Sequence, residues 1–341
     1  MIMTRKAAIK AFQSYIPLAN LTNEHLAREF PDWDVKKTFE NTGVGERRVA
    51  APDECTSDLG VAAAQKLFTS GVCQPNEIDF LLFCTQNPDY SLPASACLMQ
   101  DRLGLPTTCG ALDFNLGCSG FVYGLALAKS LIETNLANKM LLIVGDTLSK
   151  TINRRDRGAL ALFGDGAAAT LISGGNEPEE AIGPFVFGTD GRGARNLIIP
   201  AGGFRNRPTP ENAIAKDDGS GNFRSQQELF MDGAEIFNFS LQRVPKAVAQ
   251  LLEKCRMNLE EVDFFVFHQA NRFMLEALRR KIKIPREKFI FNLELYGNTS
   301  SATIPMAIEV ALEQGQLKPG SKVMVVGFGV GYSWAAGMVR I

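Results

Sequence analysis

The strongest constraint on the fold of this chain is an internal duplication. The segment EIDFLLFCTQN, which begins at Glu77, is repeated as EVDFFVFHQAN from Glu261. Each copy has an acidic start and then a continuous apolar run, a pattern typical of a strand buried on both faces of a parallel sheet. The duplication therefore predicts that Cys84 and His268 lie at equivalent strand ends.

Three further elements recur, so the duplication covers a whole unit of strand, helix and strand. They are a strand end (113–116 and 290–293), a helix after a small-residue turn (119–134 and 301–313) and a buried strand ending in glycine (139–145 and 322–327). This repeat is much longer than the roughly 20–50 residues of solenoid units. We therefore expect two copies of the unit to pack about a pseudo-two-fold axis. This arrangement is an α/β fold with two pseudo-symmetric halves, residues 1–175 and 176–341.

The segment 174–225 lies at the junction of the two halves and is rich in Gly, Pro, Asn and charged residues. This composition is typical of loops, and loops over one face of a sheet often carry function. We expect a substrate lid in this segment.

Composition excludes several classes of function. The 341 residues are 45% hydrophobic, which is enough for a large core, and the 36 basic and 37 acidic residues create no overall field that would hold a nucleic acid. The start has no apolar stretch of signal-peptide length, and no segment approaches the roughly 20 apolar residues that span a bilayer, so we expect a cytoplasmic protein without a membrane partner. The seven cysteines lack CxxC spacing, which predicts reduced thiols and no zinc site.

The chain has two histidines, and they differ in context. His25 lies in a predicted surface helix that begins at Thr22 or Asn23. His268 ends a predicted buried strand, the position at which α/β enzymes usually build their sites. Imidazole titrates near neutral pH, so His268 is the candidate for proton or carbonyl chemistry.

Cys118 is the candidate nucleophile. It lies in NLGCSGFVYG, between a predicted strand and the first turn of a helix, where free backbone N–H groups favour a thiolate. For the other six cysteines, buried packing is the simpler interpretation.

Asn298 lies in the turn of the second half that corresponds to the Cys118 turn of the first. Taken alone it also fits an ordinary helix cap. Under the pseudo-symmetry, Cys118, His268 and Asn298 converge between the halves. The glycine-rich segment GFGVGYSW at 327–334 follows the last repeated strand, and its backbone N–H groups can complete an oxyanion hole with the N–H of Cys118.

These motifs resemble the β-ketoacyl-acyl carrier protein synthase III family. The resemblance is carried from end to end by TGVGER at 42–47 and by DFNLGCSGFVYGL, FGDGAAA, FHQANR, YGNTSSATIP and GFGVGYSW. It implies the thiolase-like five-layered αβαβα fold and a homodimer.

The resemblance also implies a reaction. Cys118 takes an acyl group from an acyl-CoA or acyl-carrier thioester, and His268 and Asn298 hold the carbonyl of a malonyl thioester while it loses carbon dioxide. Both are expected to donate hydrogen bonds to the developing enolate oxygen. The enolate then attacks the acyl-enzyme, without a metal or redox cofactor.

Several positions depart from the family pattern where coenzyme A and the carrier protein are handled. Lys37 and Asn41 occupy the positions of an expected tryptophan and arginine, and Lys150 occupies the position of another arginine. Val330 replaces the glycine whose N–H completes the oxyanion hole. Lysine can still meet a phosphate as a point charge, although without the bidentate geometry of arginine. The residues predicted to bind coenzyme A or the carrier are Lys37, Lys150, Asn271, Arg272 and Phe328.

A basic run follows His268 and fits either a solvated helix or a docking surface for an acidic acyl carrier protein. It comprises Arg272, Arg279, Arg280, Lys281, Lys283, Arg286 and Lys288.

Three functions remain open from the sequence. The first is decarboxylative condensation in fatty-acid or related biosynthesis. The second is a specialised thioester acyltransferase with another acceptor, and the third is an inactive partner subunit of a heterodimer. The presence of all three candidate catalytic residues favours an enzyme.

Overall fold

A computed structural model describes residues 5–175 and 180–341 of the chain. The strands in the described part are β1 Lys6–Tyr15, β2 Ala19–Thr22, β3 Glu46–Val49, β4 Phe80–Cys84, β5 Gly110–Phe114, β6 Lys139–Asp146, β7 Gly166–Gly175, β8 Ile182–Thr189, β9 Leu197–Ile198, β10 Lys216–Asp217, β11 Phe223–Arg224, β12 Phe230–Met231, β13 Phe264–Phe267, β14 Lys322–Gly329 and β15 Ser333–Arg340. The α-helices are α1 Asn23–Glu29, α2 Val35–Thr42, α3 Thr56–Thr69, α4 Ser95–Arg102, α5 Gly120–Glu133, α6 Arg157–Leu160, α7 Gly233–Cys255, α8 Arg272–Ile282 and α9 Thr303–Glu313.

Two mixed sheets form the framework. The first has the order β1-β7-β6-β4-β5, with β4 parallel to both β5 and β6. The second has the order β13-β14-β15-β8, with β13 parallel to β14. The central strands are buried on both faces, as their continuous apolar runs predict.

The helices and sheets stack in five layers. Helices α3 and α4 cover the outer face of the first sheet, and α7 covers the outer face of the second with α8 packed against it. Between the sheets lie α5, which contacts strands of both, and α9, which contacts β1 and β13. The predicted αβαβα architecture is therefore confirmed. The predicted boundary between residues 175 and 176 borders the undescribed residues 176–179 and stays a prediction.

The repeated elements fall close to their predicted positions. The helix predicted over 119–134 is α5, and the helix predicted over 301–313 is α9, preceded by a 3₁₀ turn at Ser300–Ala302. Among the described residues, no helix combines the length and apolar character needed to cross a bilayer.

The prediction that 174–225 consists of loops is wrong over 182–189. These residues form β8, which pairs antiparallel with β15 at the edge of the second sheet. The segment IGPFVFGT contains two glycines and a proline, so it lacks the continuous apolar run that predicts a strand. Its partner β15 lies more than 140 residues later in the chain, so no local signal marks the pairing. Residues 176–179 of this segment lie outside the described part.

The duplication is also less complete than the sequence predicts. The first half forms β5, whereas its counterpart near Ile290 makes only an isolated bridge between Phe265 and Phe289. The ladder stops because the N–H of Asn292 donates to the side-chain oxygen of Gln269 instead of to a strand. Gln269 is the second residue after β13, which ends at Phe267.

Candidate active site

The three candidate catalytic residues line one narrow cavity between the two sheets. Cys118, His268 and Asn298 share a cavity of about 60 Å³, whose walls also include Asn271 and Phe328. The three side chains are at most 7% exposed. The convergence predicted from the pseudo-symmetry is present in the structure.

A second, apolar cavity of about 360 Å³ also reaches the nucleophile. Its apolar lining includes Leu148, Phe163, Leu197, Ile198, Ile199, Leu229 and Val330, and Cys118 also lines it. Cys118 therefore lines both the narrow cavity, which holds the side chains of His268 and Asn298, and this apolar pocket. Ala194, Leu197, Ile198 and Ile199 come from the segment predicted to hold a lid, and they form part of the pocket wall.

Two glycines of β14 let this strand approach the nucleophile. A Cβ atom on Gly327 would lie 2.7 Å from the carbonyl oxygen of Cys118, and one on Gly329 would lie 2.7 Å from its sulfur. The sequence predicts that the strand ends at Gly327, but it continues to Gly329. Main-chain strand hydrogen bonds thus hold the wall behind the thiol in place.

Backbone donors lie around the sulfur as the sequence predicts. Cys118 directly precedes Ser119, the N-cap of α5, and the backbone N–H groups of Val330 and Cys118 lower the pKa of the Cys118 thiol. Val330 therefore still presents a backbone donor toward the sulfur, although it replaces the expected glycine.

The expectation that Cys118 is a stabilised thiolate is not met. Burial, and secondarily the negative charge of Asp146, raises the pKa of Cys118 to about 12, although the backbone N–H groups lower it. Removal of the thiol from water opposes its ionisation more than the local donors favour it. The resting group is a thiol, so acyl transfer requires a proton acceptor.

His268 follows β13 directly and is neutral in the fold. Its backbone N–H donates to Val326 on β14, and the ring of Phe328 packs edge-on with centroids 5.7 Å apart. Burial lowers the pKa of the imidazole to about 3. The ring can therefore accept a proton or donate one hydrogen bond without carrying a resting charge.

Thr303 determines which nitrogen of His268 carries the proton. His268 Nδ1 lies 2.8 Å from Thr303 Oγ1, and that hydroxyl donates to the carbonyl of Ser300 at 2.8 Å. Because a hydroxyl has one proton, Nδ1 must donate in this arrangement and Nε2 has a free lone pair. The predicted hydrogen bond from His268 to a substrate oxygen requires the Thr303 hydroxyl to turn and donate to Nδ1, so that Nε2 carries the proton.

Asn298 is oriented by its own turn. Its Oδ1 accepts the backbone N–H of Ser300 at 2.9 Å, and its backbone pairs with the 162–164 segment through an isolated bridge with Phe163. The amide is thus both the local cap and a cavity-lining group. With the oxygen engaged, the NH₂ group is the part available for a substrate carbonyl.

A buried arginine holds the segment that pairs with Asn298. Arg47 is fully buried and donates to the carbonyls of Leu21 and Ala161 and to Asn23 Oδ1. Burial lowers the pKa of its guanidinium to about 10. Arg47 thus ties the N-terminal region to the chain next to the site.

A polar network beside the thiol was not found from the sequence. Asp146, at the end of β6, accepts hydrogen bonds from Thr85 and Gln86, and Gln86 also donates to Ser300. The sequence carries a partial signal, since Asp146 directly follows a strand predicted to end at Gly145. Only the fold shows that it meets Thr85 and Gln86.

The residues predicted to bind coenzyme A or the carrier fall into two groups. Asn271 and Phe328 line the narrow cavity, and Asn271 also caps α8 through a bond to the N–H of Met274. Lys37 on α2 and Lys150 lie on the surface outside that lining, and Lys150 donates to the carbonyl of Pro52. Arg272 pairs with Glu294. Substrate-binding roles for these five residues stay predictions.

Several residues of the basic run on and after α8 make contacts within the fold. Glu276 pairs with Arg279, Arg280 and Arg286, and Lys288 donates to two backbone carbonyls. These contacts orient the side chains, and the run keeps its excess of positive charge. His25 lies in α1 as predicted, where it forms a capping box with Thr22.

The chain matches the profile of one family in both halves. The family described as 3-Oxoacyl-[acyl-carrier-protein (ACP)] synthase III matches residues 112–191, and its C-terminal counterpart matches residues 252–341. The chain is 35% identical to the Beta-ketoacyl-[acyl-carrier-protein] synthase III of Caldanaerobacter subterraneus subsp. tengcongensis, over 98% of this chain and 97% of that protein.

Solved structures agree with the match. A 2.1 Å crystal structure of a 3-oxoacyl-(acyl-carrier-protein) synthase III has a TM-score of 0.97 and 50% identity, covering 98% of this chain and 100% of that chain. The priming β-ketosynthase from the R1128 polyketide biosynthetic pathway has a TM-score of 0.86 and 26% identity, covering 99% and 97%. The chain therefore belongs to the 3-oxoacyl-[acyl-carrier-protein] synthase III family of acyltransferases.

Proposed function

We propose that this protein condenses an acyl thioester with a malonyl thioester, with Cys118 as the nucleophile. The observation that carries the proposal is the position of Cys118 at the junction of two cavities. The apolar pocket suits an acyl chain, and the narrow cavity, which holds His268 and Asn298, suits the carbonyl end of a second thioester. The two reacting carbons then meet at one sulfur atom.

The first half-reaction is acyl transfer. The sulfur attacks the thioester carbonyl, and the N–H groups of Cys118 and Val330 donate to the carbonyl oxygen as it becomes negative. The donor thiol leaves, and the acyl chain remains in the apolar pocket.

The second half-reaction is decarboxylation followed by carbon–carbon bond formation. The NH₂ group of Asn298 and the Nε2–H tautomer of His268 donate to the malonyl thioester carbonyl and stabilise the enolate that forms as carbon dioxide leaves. A neutral imidazole suits this role because an imidazolium would protonate the carbanion. The enolate attacks the acyl group on Cys118 and frees the thiol.

The test uses a panel of acyl-CoAs and acyl-carriers, followed by malonyl carrier labelled at the free carboxyl. We expect an acyl adduct on Cys118 by mass spectrometry and labelled carbon dioxide in step with the β-ketoacyl product. The matched control is Cys118→Ser, which keeps the size of the side chain. An adduct on wild type without carbon dioxide release would favour the specialised acyltransferase instead.

The biological pathway belongs to the same proposal. Family membership supports fatty-acid initiation with an acyl carrier protein as partner, and the similarity to a polyketide priming enzyme keeps a specialised pathway as the second candidate. The donor panel separates them, since preference for one unusual acyl group would favour the specialised pathway.

We also propose a homodimer built on the edge of the first sheet. Strand β5 is an end strand of that sheet, and Leu112 on it is 42% exposed. Nearby in sequence, Tyr90 and Leu92 are 62% and 80% exposed. Unprotected apolar edges tend to pair, and two copies related by a two-fold axis would join their β5 strands. Light scattering should show a dimer, and Leu112→Lys should shift it toward the monomer.

A further inference from the structure

Three carboxamides interrupt the apolar wall of the larger cavity. Gln86, Asn87 and Asn115 line this cavity of about 360 Å³ together with Cys118 and the apolar residues. The lining contains no charged side chain in the described part of the chain. A plain hydrocarbon chain would take water from these amides without replacing its hydrogen bonds, which is unfavourable. Polar groups in an otherwise apolar pocket usually fix the orientation of a ligand that carries a matching polar atom.

The side-chain amide of Gln86 has a fixed orientation. Its Nε2 donates to Asp146 Oδ2 at 2.9 Å and to Ser300 Oγ at 3.0 Å, so both amide protons are engaged. The opposite orientation would place the amide oxygen against a carboxylate, which has no proton to donate. The oxygen Oε1 is therefore the end that faces away from this network, and none of the described residues donates a hydrogen bond to it.

Gly117 shows where this oxygen lies. A Cβ atom on Gly117 would be 2.7 Å from Gln86 Oε1 and 2.6 Å from Val330 Cγ1. Gly117 directly precedes Cys118, so the Cα atoms of these two residues are about 3.8 Å apart. Both Gln86 and Val330 line the cavity with Cys118. The free acceptor therefore lies at the end of the cavity that adjoins the nucleophile, next to the first carbons of a bound acyl chain.

A second acceptor of the same cavity also lacks a partner. Asn87 lines the cavity, and its Oδ1 is buried without a hydrogen bond from the described residues. Its backbone N–H donates to Thr85 Oγ1 at 3.0 Å, which holds Asn87 beside Gln86. A neutral hydroxyl matches these neutral acceptors. An ammonium group matches them less well, because no carboxylate belongs to the lining.

We propose that Gln86 selects acyl groups that carry a hydroxyl on one of the first carbons after the thioester. The hydroxyl donates to Gln86 Oε1, and the rest of the chain packs against the apolar residues of the cavity. Gln86 is then a specificity-determining residue for the first half-reaction. This inference rests on the proposed function and names the class of its acyl substrate.

The test is a competition between acyl-CoAs for Cys118, read as adducts by mass spectrometry. Octanoyl-CoA competes with octanoyl-CoA that carries a hydroxyl on the second, the third or the last carbon. We expect the second- or third-carbon hydroxyl to speed acyl transfer by roughly 3–10-fold, the usual gain from one hydrogen bond between neutral groups. A hydroxyl on the last carbon, or an amino group on the second, should give no such gain.

Two variants assign the preference to one side chain. Gln86→Met keeps the length of the side chain and removes the acceptor, so the hydroxyacyl and octanoyl groups should be transferred at about equal rates. Gln100→Met is the matched control, because Gln100 lies on α4, donates to the carbonyl of Leu105 at 2.6 Å and lines neither cavity. It should keep the wild-type preference. Each ratio compares two donors on one enzyme, so a general loss of rate cancels.

Equal transfer of octanoyl and hydroxyacyl groups by wild type would overturn the inference and leave Oε1 to water. A preference for the amino group or the last-carbon hydroxyl, or one that persists in Gln86→Met, would overturn it as well. In these cases the adduct on Cys118 leaves the proposed function intact. If Gln86→Met does not fold, the wild-type ratio decides alone. A wild-type enzyme that takes no acyl group from any donor overturns both proposals.

Discussion

Replacing Gly329 by alanine tests whether strand β14 sets the position of the nucleophile. The new Cβ would lie 2.7 Å from the Cys118 sulfur and 3.0 Å from its Cβ, whereas ordinary contacts begin at 3.4 Å. The sulfur or the strand must therefore move by roughly 0.7 Å, the difference between 3.4 and 2.7 Å. A displacement of about 1 Å in an active site can cost ~10²-fold in rate, which corresponds to about 2.7 kcal/mol.

The measurement is the rate of acylation of Cys118, followed by mass spectrometry after rapid quenching. We expect a loss of about 10²-fold, together with a destabilisation of roughly 1–3 kcal/mol from overpacking. Gly203→Ala is the control, because a Cβ there has no atom within 4 Å. A Gly329→Ala enzyme that folds and is acylated at the wild-type rate would refute the idea that this strand positions the thiol.

Three other predictions concern the residues around the site. Burial lowers the pKa of His268 from 6.5 to about 3, so the unfolded chain binds more protons between these values and stability falls as the pH drops below 6.5. His268→Gln should flatten this fall by up to about 1.4 kcal/mol per pH unit in urea melts between pH 7 and 4, and an unchanged slope would contradict the neutral imidazole. Thr303→Val should slow malonyl decarboxylation by ~10–100-fold and leave Cys118 acylation nearly unchanged, because it removes only the group that orients the imidazole; equal losses in both assays would count against this role. Arg47→Met should lower the free energy of unfolding by about 3 kcal/mol or more, since three acceptors, two of them buried carbonyls, lose a charged donor, and a loss below 1 kcal/mol in urea melts would contradict it.

The sequence predicted most of the framework because its signals are local. Apolar runs marked the buried strands, and the copies at Glu77 and Glu261 aligned strand ends that meet in space. The strand β8 was missed because glycine and proline masked a short pattern whose partner is distant. The predicted counterpart of β5 does not form a full strand. The N–H of Asn292, which a strand would have paired with its neighbour, donates to the side chain of Gln269 instead.

The candidate site was predicted in part for the same reason. Cys118, His268 and Asn298 follow repeated elements, so the pseudo-symmetry brought them together before any coordinates were considered. The network of Asp146, Gln86 and Ser300 has no motif of its own, because its members lie in three segments that only packing joins.

The sequence by itself determined the order of the elements, the duplication and the identity of the three converging residues, since hydrophobic periodicity and turn residues act over a few neighbours. The protonation states were decided only by the tertiary structure. A helix start favours a thiolate at Cys118, but burial and the Asp146 anion raise its pKa. The pKa of a buried group depends on the desolvation and the charges contributed by all residues around it, and these residues lie far apart in the chain. The protonation states of the site therefore depend on the complete fold.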